Sequence, residues 1–214
     1  MSWVTRNLWD HNAFYHRLLL RRIPASATRV LDVGCGAGVF ASKVAARGGR
    51  VDAIDRSEVM IAQARRTVPV NVTCILGDIL TEPLPAGSYD AIVSVTALHH
   101  LPLPQVLPIL DRALRPGGVL VAIALPKFDP VRDIPVELAA FLAQRVGTLT
   151  FAALRTIGRG SWYARESTHD EMPVLLDPPL TTHQVREQAT ALLSGARVRR
   201  LLFWRYLLVW NKPD

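Results

Sequence analysis

Three aspartates carry the first chemical signal in this sequence: Asp32, Asp55 and Asp78. Asp32 stands two residues ahead of Gly34-Cys35-Gly36-Ala37-Gly38, which follows the short apolar stretch Arg29 to Val33. Alternating glycines behind a strand allow positive φ and let a ligand approach the backbone closely. A helix opening just after them adds free N–H groups for a polar ligand. The dinucleotide fingerprint G-x-G-x-x-G does not fit, because its third glycine would fall on Val39. A carboxylate at position 32 would repel pyrophosphate and would suit an ammonium or sulfonium group. The phosphate loop G-x-x-x-x-G-K-[ST] is absent too. Asp55 ends a second apolar stretch, where a carboxylate can accept both hydroxyls of a ribose. Asp78, in Gly77-Asp78-Ile79, can accept from an exocyclic amine while the Ile79 N–H donates to the neighbouring ring nitrogen. Met60 is placed to pack on the ring face. Alone, Asp55 would fit a helix cap and Asp78 a turn. Acids ending three successive strands point to one ligand, because open α/β sheets bind ligands at those ends.

The elements that must position these residues alternate along the chain. Strands are expected at Arg29 to Val33, Val51 to Ile54, Val72 to Leu76, Tyr89 to Val95 and Val119 to Ala124. Helices are expected at Val39 to Arg47, from an N-cap at Ser57 to about Arg66, and at Val106 to Leu114 despite Pro108. Arg115-Pro116-Gly117-Gly118 reads as a turn. Strands separated by helix-length segments give a parallel sheet covered on both faces. The chain ends in two tightly joined apolar runs, Val198 to Phe203 and Tyr206 to Trp210, which imply an antiparallel hairpin. The fold class is therefore α/β, a mostly parallel sheet finished by an antiparallel C-terminal hairpin. Residues 1–214 form one domain. Within it, 1–28 is an N-terminal helical segment with the i, i+4 pairs Phe14/Leu18 and Tyr15/Leu19. Residues 29–125 are the binding core. Residues 126–180 break the rhythm and hold one apolar helix, about Pro135 to Ile157. Residues 181–214 hold a helix capped by Thr181 or Thr182 and running to Leu193, then the hairpin.

These motifs resemble the class I S-adenosylmethionine-dependent methyltransferases, in particular the small type 11 and type 25 domains. The resemblance covers about residues 29–125, with the C-terminal hairpin. It implies a Rossmann-like fold with a seven-stranded sheet, S-adenosylmethionine as cofactor and S-adenosylhomocysteine as product. It assigns Asp32, Gly34, Gly36 and Gly38, with Cys35, to the methionine half of the cofactor. Asp55 and its neighbour Arg56 fall to the ribose, and Met60, Asp78 and Ile79 to the adenine. Val95 and Thr96, in Ser94-Val95-Thr96-Ala97-Leu98-His99-His100, would meet the methionine amino group through the backbone. His11 and Tyr15 in the N-terminal segment would cover the cofactor. The segment 126–180 would be the lid, with His100, Arg159, Trp162 and Tyr163 facing the substrate.

Methyl transfer is a displacement on an activated carbon, so alignment and exclusion of water come first. A base helps when the nucleophile is a hydroxyl or an ammonium, and His99 and His100 are both candidates. The expected acceptor is a small organic molecule methylated at oxygen, nitrogen or carbon, such as a planar secondary metabolite. An RNA or protein methyltransferase and a non-catalytic cofactor-binding or partner subunit are the alternatives. The charge of +7 invites nucleic acid. Yet only Lys43, Lys127 and Lys212 are lysines among the 25 basic residues, and the arginines are scattered, as in a GC-rich coding sequence. No Asn/Asp-Pro-Pro-Tyr type motif follows the fourth strand, and neither Cys35 nor Cys74 is placed as a cytosine-attacking nucleophile. Both cysteines read as small buried fillers, with no metal-ligand spacing. No membrane-length apolar run and no leader pattern are read, so the expected location is the cytoplasm. Oligomeric state is left open.

Overall fold

The computed structural model describes residues 10–156 and 178–214. The N-terminal segment contributes helix α1 (His11–Leu20), capped by Asp10, whose carboxylate accepts from the Asn12 and Ala13 N–H groups. Then follow β1 (Arg29–Val33), α2 (Val39–Ala45), β2 (Arg50–Asp55), α3 (Glu58–Thr67), β3 (Val72–Leu76) and β4 (Tyr89–Val95). A single 3₁₀ turn spans Leu98–His100 and leads to α4 (Leu103–Ala113), β5 (Leu114–Ala124) and the long α5 (Pro130–Thr156). The chain closes with α6 (Thr182–Leu192), β6 (Arg197–Leu201) and β7 (Arg205–Asn211).

The seven strands lie in the order β3-β2-β1-β4-β5-β7-β6. The first five are parallel to one another, and β7 is antiparallel to both β5 and β6. Strands buried on two faces must be apolar at consecutive positions rather than at alternate ones. In β5, Leu120, Ala122 and Ala124 join the cluster under α4 and α6, while Val119, Val121 and Ile123 join the cluster under α1 and α2. The fold is thus the expected Rossmann-like one.

Local chemistry explains several boundaries. Ser57 caps α3 through the Met60 N–H, and Thr181 forms a reciprocal capping box with Gln184 at α6. Helix α4 opens earlier than expected, at Leu103 behind Pro102. Pro108 is tolerated because it and Pro104 both face solvent, where water can serve the unclaimed Pro104 carbonyl. The turn at Arg115-Pro116-Gly117-Gly118 lies inside β5 as a bulge: Tyr89 pairs with Leu114, and the next partnership is Ala91 with Val119. Helix α5 begins at Pro130 rather than near Pro135, since Asp129 supplies the cap by accepting from Val131 and Arg132. Its first turns are tied to the hairpin by Arg200, which pairs with Glu137 and lies 3.3 Å from Asp133. Cys35 is buried as expected, but Cys74 is only partly covered, because β3 is an edge strand. Among the described residues no helix is long and apolar enough to cross a membrane.

Candidate functional site

A cavity of about 330 Å³ runs along the edge of the sheet where the parallel strands end. That size is within the range of small-ligand pockets. Its wall passes from Asp78 behind β3, through Asp55 behind β2 and the glycine loop behind β1, to Thr96, His99 and His100 behind β4. It continues to Leu125 behind β5 and ends at Arg205, the first residue of β7. Because β7 is antiparallel to β5, with Tyr206 opposite Ala124, its beginning meets the same edge.

The glycine loop turns through three positive φ angles, 70° at Gly34, 52° at Gly36 and 79° at Gly38. The Gly34 and Cys35 N–H groups donate to the Ile54 carbonyl at 2.8 and 3.1 Å, tying the loop to β2. Gly34 also needs to be bare: a Cβ there would lie 2.1 Å from the Ala97 Cβ. Gly38 lies outside the cavity wall and serves packing instead. It caps α2, and a Cβ on it would come within 2.5 Å of Val68 Cγ1. Gly38 thus seats α2 on α3 beside the loop that was expected to meet the cofactor.

The three acids differ in how they are held. Asp32 is 1% exposed, and neither carboxylate oxygen has a hydrogen-bond donor within the protein. Burial, helped by the nearby charge of Asp55, pushes its pKa up to about 7. A buried carboxylate without donors is costly, and a cationic ligand would relieve that cost. This carboxylate therefore suits a sulfonium or ammonium group better than a phosphate. Asp55 is engaged on both oxygens, Oδ2 by the Gly36 N–H at 2.8 Å and Oδ1 by the Ser57 N–H at 2.9 Å. Each oxygen keeps a second lone pair for ligand hydroxyls. Asp78 is exposed and uses Oδ1 to accept the Leu80 N–H at 2.9 Å, so it starts a turn and still offers Oδ2. Met60 and Ile79 are buried and line the cavity, as do Cys35, Arg56 and Val95.

Behind β4 the backbone is strained at Thr96, a non-glycine residue with φ 53°. Its N–H is spent on the Ile123 carbonyl at 2.7 Å. Its hydroxyl accepts from Asn12 Nδ2 at 3.3 Å, and Asn12 Oδ1 accepts from Arg205 Nε and Nη2 at 3.2 and 2.9 Å. His99 is buried with Nδ1 unpartnered, 4.1 Å from the His100 ring centre to centre. Burial, then the charges of His100 and Arg205, push His99 down to about 3. His100 is also held below its ordinary value, by partial burial and by the charge of Arg56.

Not every expected residue reaches the cavity. His11 points away, stacking on Phe203 at 4.9 Å and bonding to Gln144. Tyr15 donates its hydroxyl to the Leu202 carbonyl at 2.9 Å. Helix α1 instead presents Asn12 and His16 to the cavity, with its cap Asp10. Tyr15 and His11 fall on the side of α1 that packs on the hairpin, which the i, i+4 pattern alone could not orient. Trp162, Tyr163 and Arg159 lie outside the described residues. Asp10, Asn12, His16 and Arg205 were missed from sequence. Only Arg205, a lone charge between apolar runs at a hairpin start, carried any signal.

Residues 30–118 match the family described as methyltransferase domain. An uncharacterized methyltransferase of Mycobacterium tuberculosis (strain ATCC 25618 / H37Rv) is 32% identical over 210 residues, 96% of this chain and 98% of its own length. A ubiquinone biosynthesis O-methyltransferase of Pseudomonas aeruginosa is 28% identical over 187 residues, 82% of this chain and 80% of its own. Among solved structures, an S-adenosylmethionine dependent methyltransferase from Mesorhizobium loti superposes with a TM-score of 0.61 at 20% identity, covering 91% of this chain and 96% of that one.

Proposed function

This chain belongs to the class I methyltransferases, and we propose that it methylates a small organic acceptor with S-adenosylmethionine bound along the glycine loop. The observation that carries the reading is Asp32, a buried carboxylate without donors facing the cavity. When bound, the cofactor supplies a methyl carbon already activated by sulfonium charge. Asp32 would hold its cationic portion, and Asp55 would accept from ribose hydroxyls with its remaining lone pairs. Asp78 Oδ2 and the Ile79 N–H would meet the adenine, with Met60 against the ring.

The acceptor end supports a small molecule. Among the described residues its wall is formed by His99, His100, Leu125 and Arg205 around a cavity of small-ligand size. The two histidines separate in role. His99, pushed down to about 3, stays neutral and is too weak a base to keep a proton; its unpaired Nδ1 positions an acceptor group by hydrogen bonding. His100 is partly exposed and can pass a proton on to water, so it is the better proton acceptor where the nucleophile carries one.

The test is product formation. The protein with S-adenosylmethionine is offered phenols, amines, carboxylic acids and bulk RNA, and S-adenosylhomocysteine is measured by mass spectrometry. Turnover with a small acceptor is expected. Turnover confined to RNA would reject the small-molecule reading.

A further inference from the structure

Arg205 lines the cavity with its guanidinium largely buried and, among the described residues, in no ion pair. Its guanidinium is held by neutral oxygens: Asn12 Oδ1, and the Phe203 and Trp204 carbonyls at 2.9 and 3.3 Å from Nη1. No carboxylate among the described residues lies within ion-pair distance of it. Asp10 caps α1 through Oδ1 and attracts Arg205 without pairing with it, and Asp133 and Glu137 pair with Arg200. Burial pulls Arg205 down to about 10, opposed only in part by Tyr15 and the charge of Asp10, so it remains fully charged at neutral pH. Of the five N–H donors of a guanidinium, these contacts occupy four and leave one Nη2 hydrogen uncommitted.

Position decides what the charge is for. The strand order runs β3-β2-β1-β4-β5-β7, so Arg205 stands at the far end of the cavity from Asp78, Asp55 and Asp32. The three acids at one end suit a cation; the guanidinium at the other end suits an anion. Building on the methyltransferase reading, we infer that Arg205 receives a carboxylate carried by the methyl acceptor. A monoanion is favoured over a phosphate dianion because Asp10, Asp32 and Asp55 line the same cavity and repel added negative charge. The neighbouring side chains fit this task. Neutral His99 adds a hydrogen-bonding nitrogen without a charge, and Leu125 adds an apolar wall. Asn12, bonded to both Arg205 and Thr96, keeps the guanidinium in register with the strained turn behind β4.

The cofactor also carries a carboxylate, and the experiment separates the two sources. Protein saturated with S-adenosylhomocysteine is titrated with benzoate and, separately, with its neutral counterpart benzamide, using ligand-observed NMR. The wild type is expected to bind benzoate at least tenfold more tightly than benzamide. Arg205→Gln, which keeps a donor for Asn12 but loses the charge, should bring that preference below threefold. Arg205→Lys should retain part of it, and keeps the comparison available if the glutamine variant does not fold. Affinity for S-adenosylhomocysteine, measured by calorimetry, should stay within twofold in both. Equal binding of benzoate and benzamide by the wild type overturns the inference, as does a preference that survives Arg205→Gln. A tenfold loss of S-adenosylhomocysteine affinity in that variant assigns the charge to the cofactor instead and also overturns it. If the wild type binds no S-adenosylhomocysteine, the methyltransferase reading itself falls.

Discussion

The two ends of the cavity are held by different means. Toward β3, carboxylates are fixed by backbone N–H groups in the same or the adjacent βα loop: Asp55 by Gly36 and Ser57, Asp78 by Leu80. Toward β7, side chains hold one another across the whole chain: Asn12 bonds to Thr96 and to Arg205, 193 residues away. The first end is set by loop geometry and tolerates little change. The second is set by side chains that can be exchanged one at a time while the backbone stays put. A cofactor common to many enzymes belongs at an end of the first kind, and an acceptor that differs between relatives belongs at an end of the second kind.

The largest expected effect lies where the two ends meet. Gly34 belongs to the glycine loop and faces Ala97 of the β4 loop. Gly34→Ala combines a non-glycine residue at φ 70° with a Cβ 2.1 Å from the Ala97 Cβ. Strain and overpacking each cost about 1–3 kcal/mol. A loss of about 2–5 kcal/mol is expected, lowering the melting temperature by roughly 5–15 °C for a domain of this size. Cofactor affinity should fall with it. Adding Ala97→Gly should return the packing part and leave the φ part. A neutral Gly34→Ala would mean that the two ends are not in contact as described.

A smaller effect separates the ends by pH. Asp32 is pushed up to about 7 in the folded protein, above its unfolded value of about 3.9. The folded state therefore binds the extra proton, and this group's contribution to stability is lost as pH rises through about 7. A cationic ligand prefers the ionised form. Between about pH 5.5 and 7, cofactor affinity should then rise by up to about tenfold per pH unit, because only the deprotonated carboxylate pairs with the ligand. Asp32→Asn should lower affinity and flatten that profile, as read by calorimetry. Over the same range Arg205 stays charged and His99 stays neutral, so neither of them contributes to that rise. A steep profile that survives Asp32→Asn would place the titration elsewhere.

The same contrast explains what could be read from sequence. Asp32, Asp55 and Asp78 were legible because each sits at a fixed offset from a strand end, and strand ends follow from apolar runs and glycines. Strands β1, β3 and β4 fell on their expected residues for that reason. Asn12 and Arg205 gave no such offset. Their partnership depends on the antiparallel return of β7 beside β5 and on the angle at which α1 crosses the hairpin. The glycine spacing fixed a loop but not which glycine also packs helices, as Gly38 does against Val68 and Ala64.

The smallest effect tests that helix angle directly. Tyr15 was expected over the cofactor, whereas its hydroxyl donates to the Leu202 carbonyl and its ring is 7% exposed beside Phe203. Tyr15→Phe removes one neutral hydrogen bond and keeps the ring. The cost should be about 0.5–1.5 kcal/mol, seen as a small shift in thermal or urea unfolding. Because the hydroxyl points at the hairpin and not into the cavity, affinity for S-adenosylhomocysteine should remain within about twofold, less than 0.5 kcal/mol. Asn12→Ala on the same helix makes the matching control. It frees the Arg205 guanidinium from its Oδ1 anchor, so it should disturb the acceptor end more than overall stability. If Tyr15→Phe instead weakened cofactor binding tenfold with unfolding unchanged, α1 would have to be rotated so that Tyr15 and not Asn12 faces the ligand. The link from Thr96 through Asn12 to Arg205, and the division between the two ends, would then be lost.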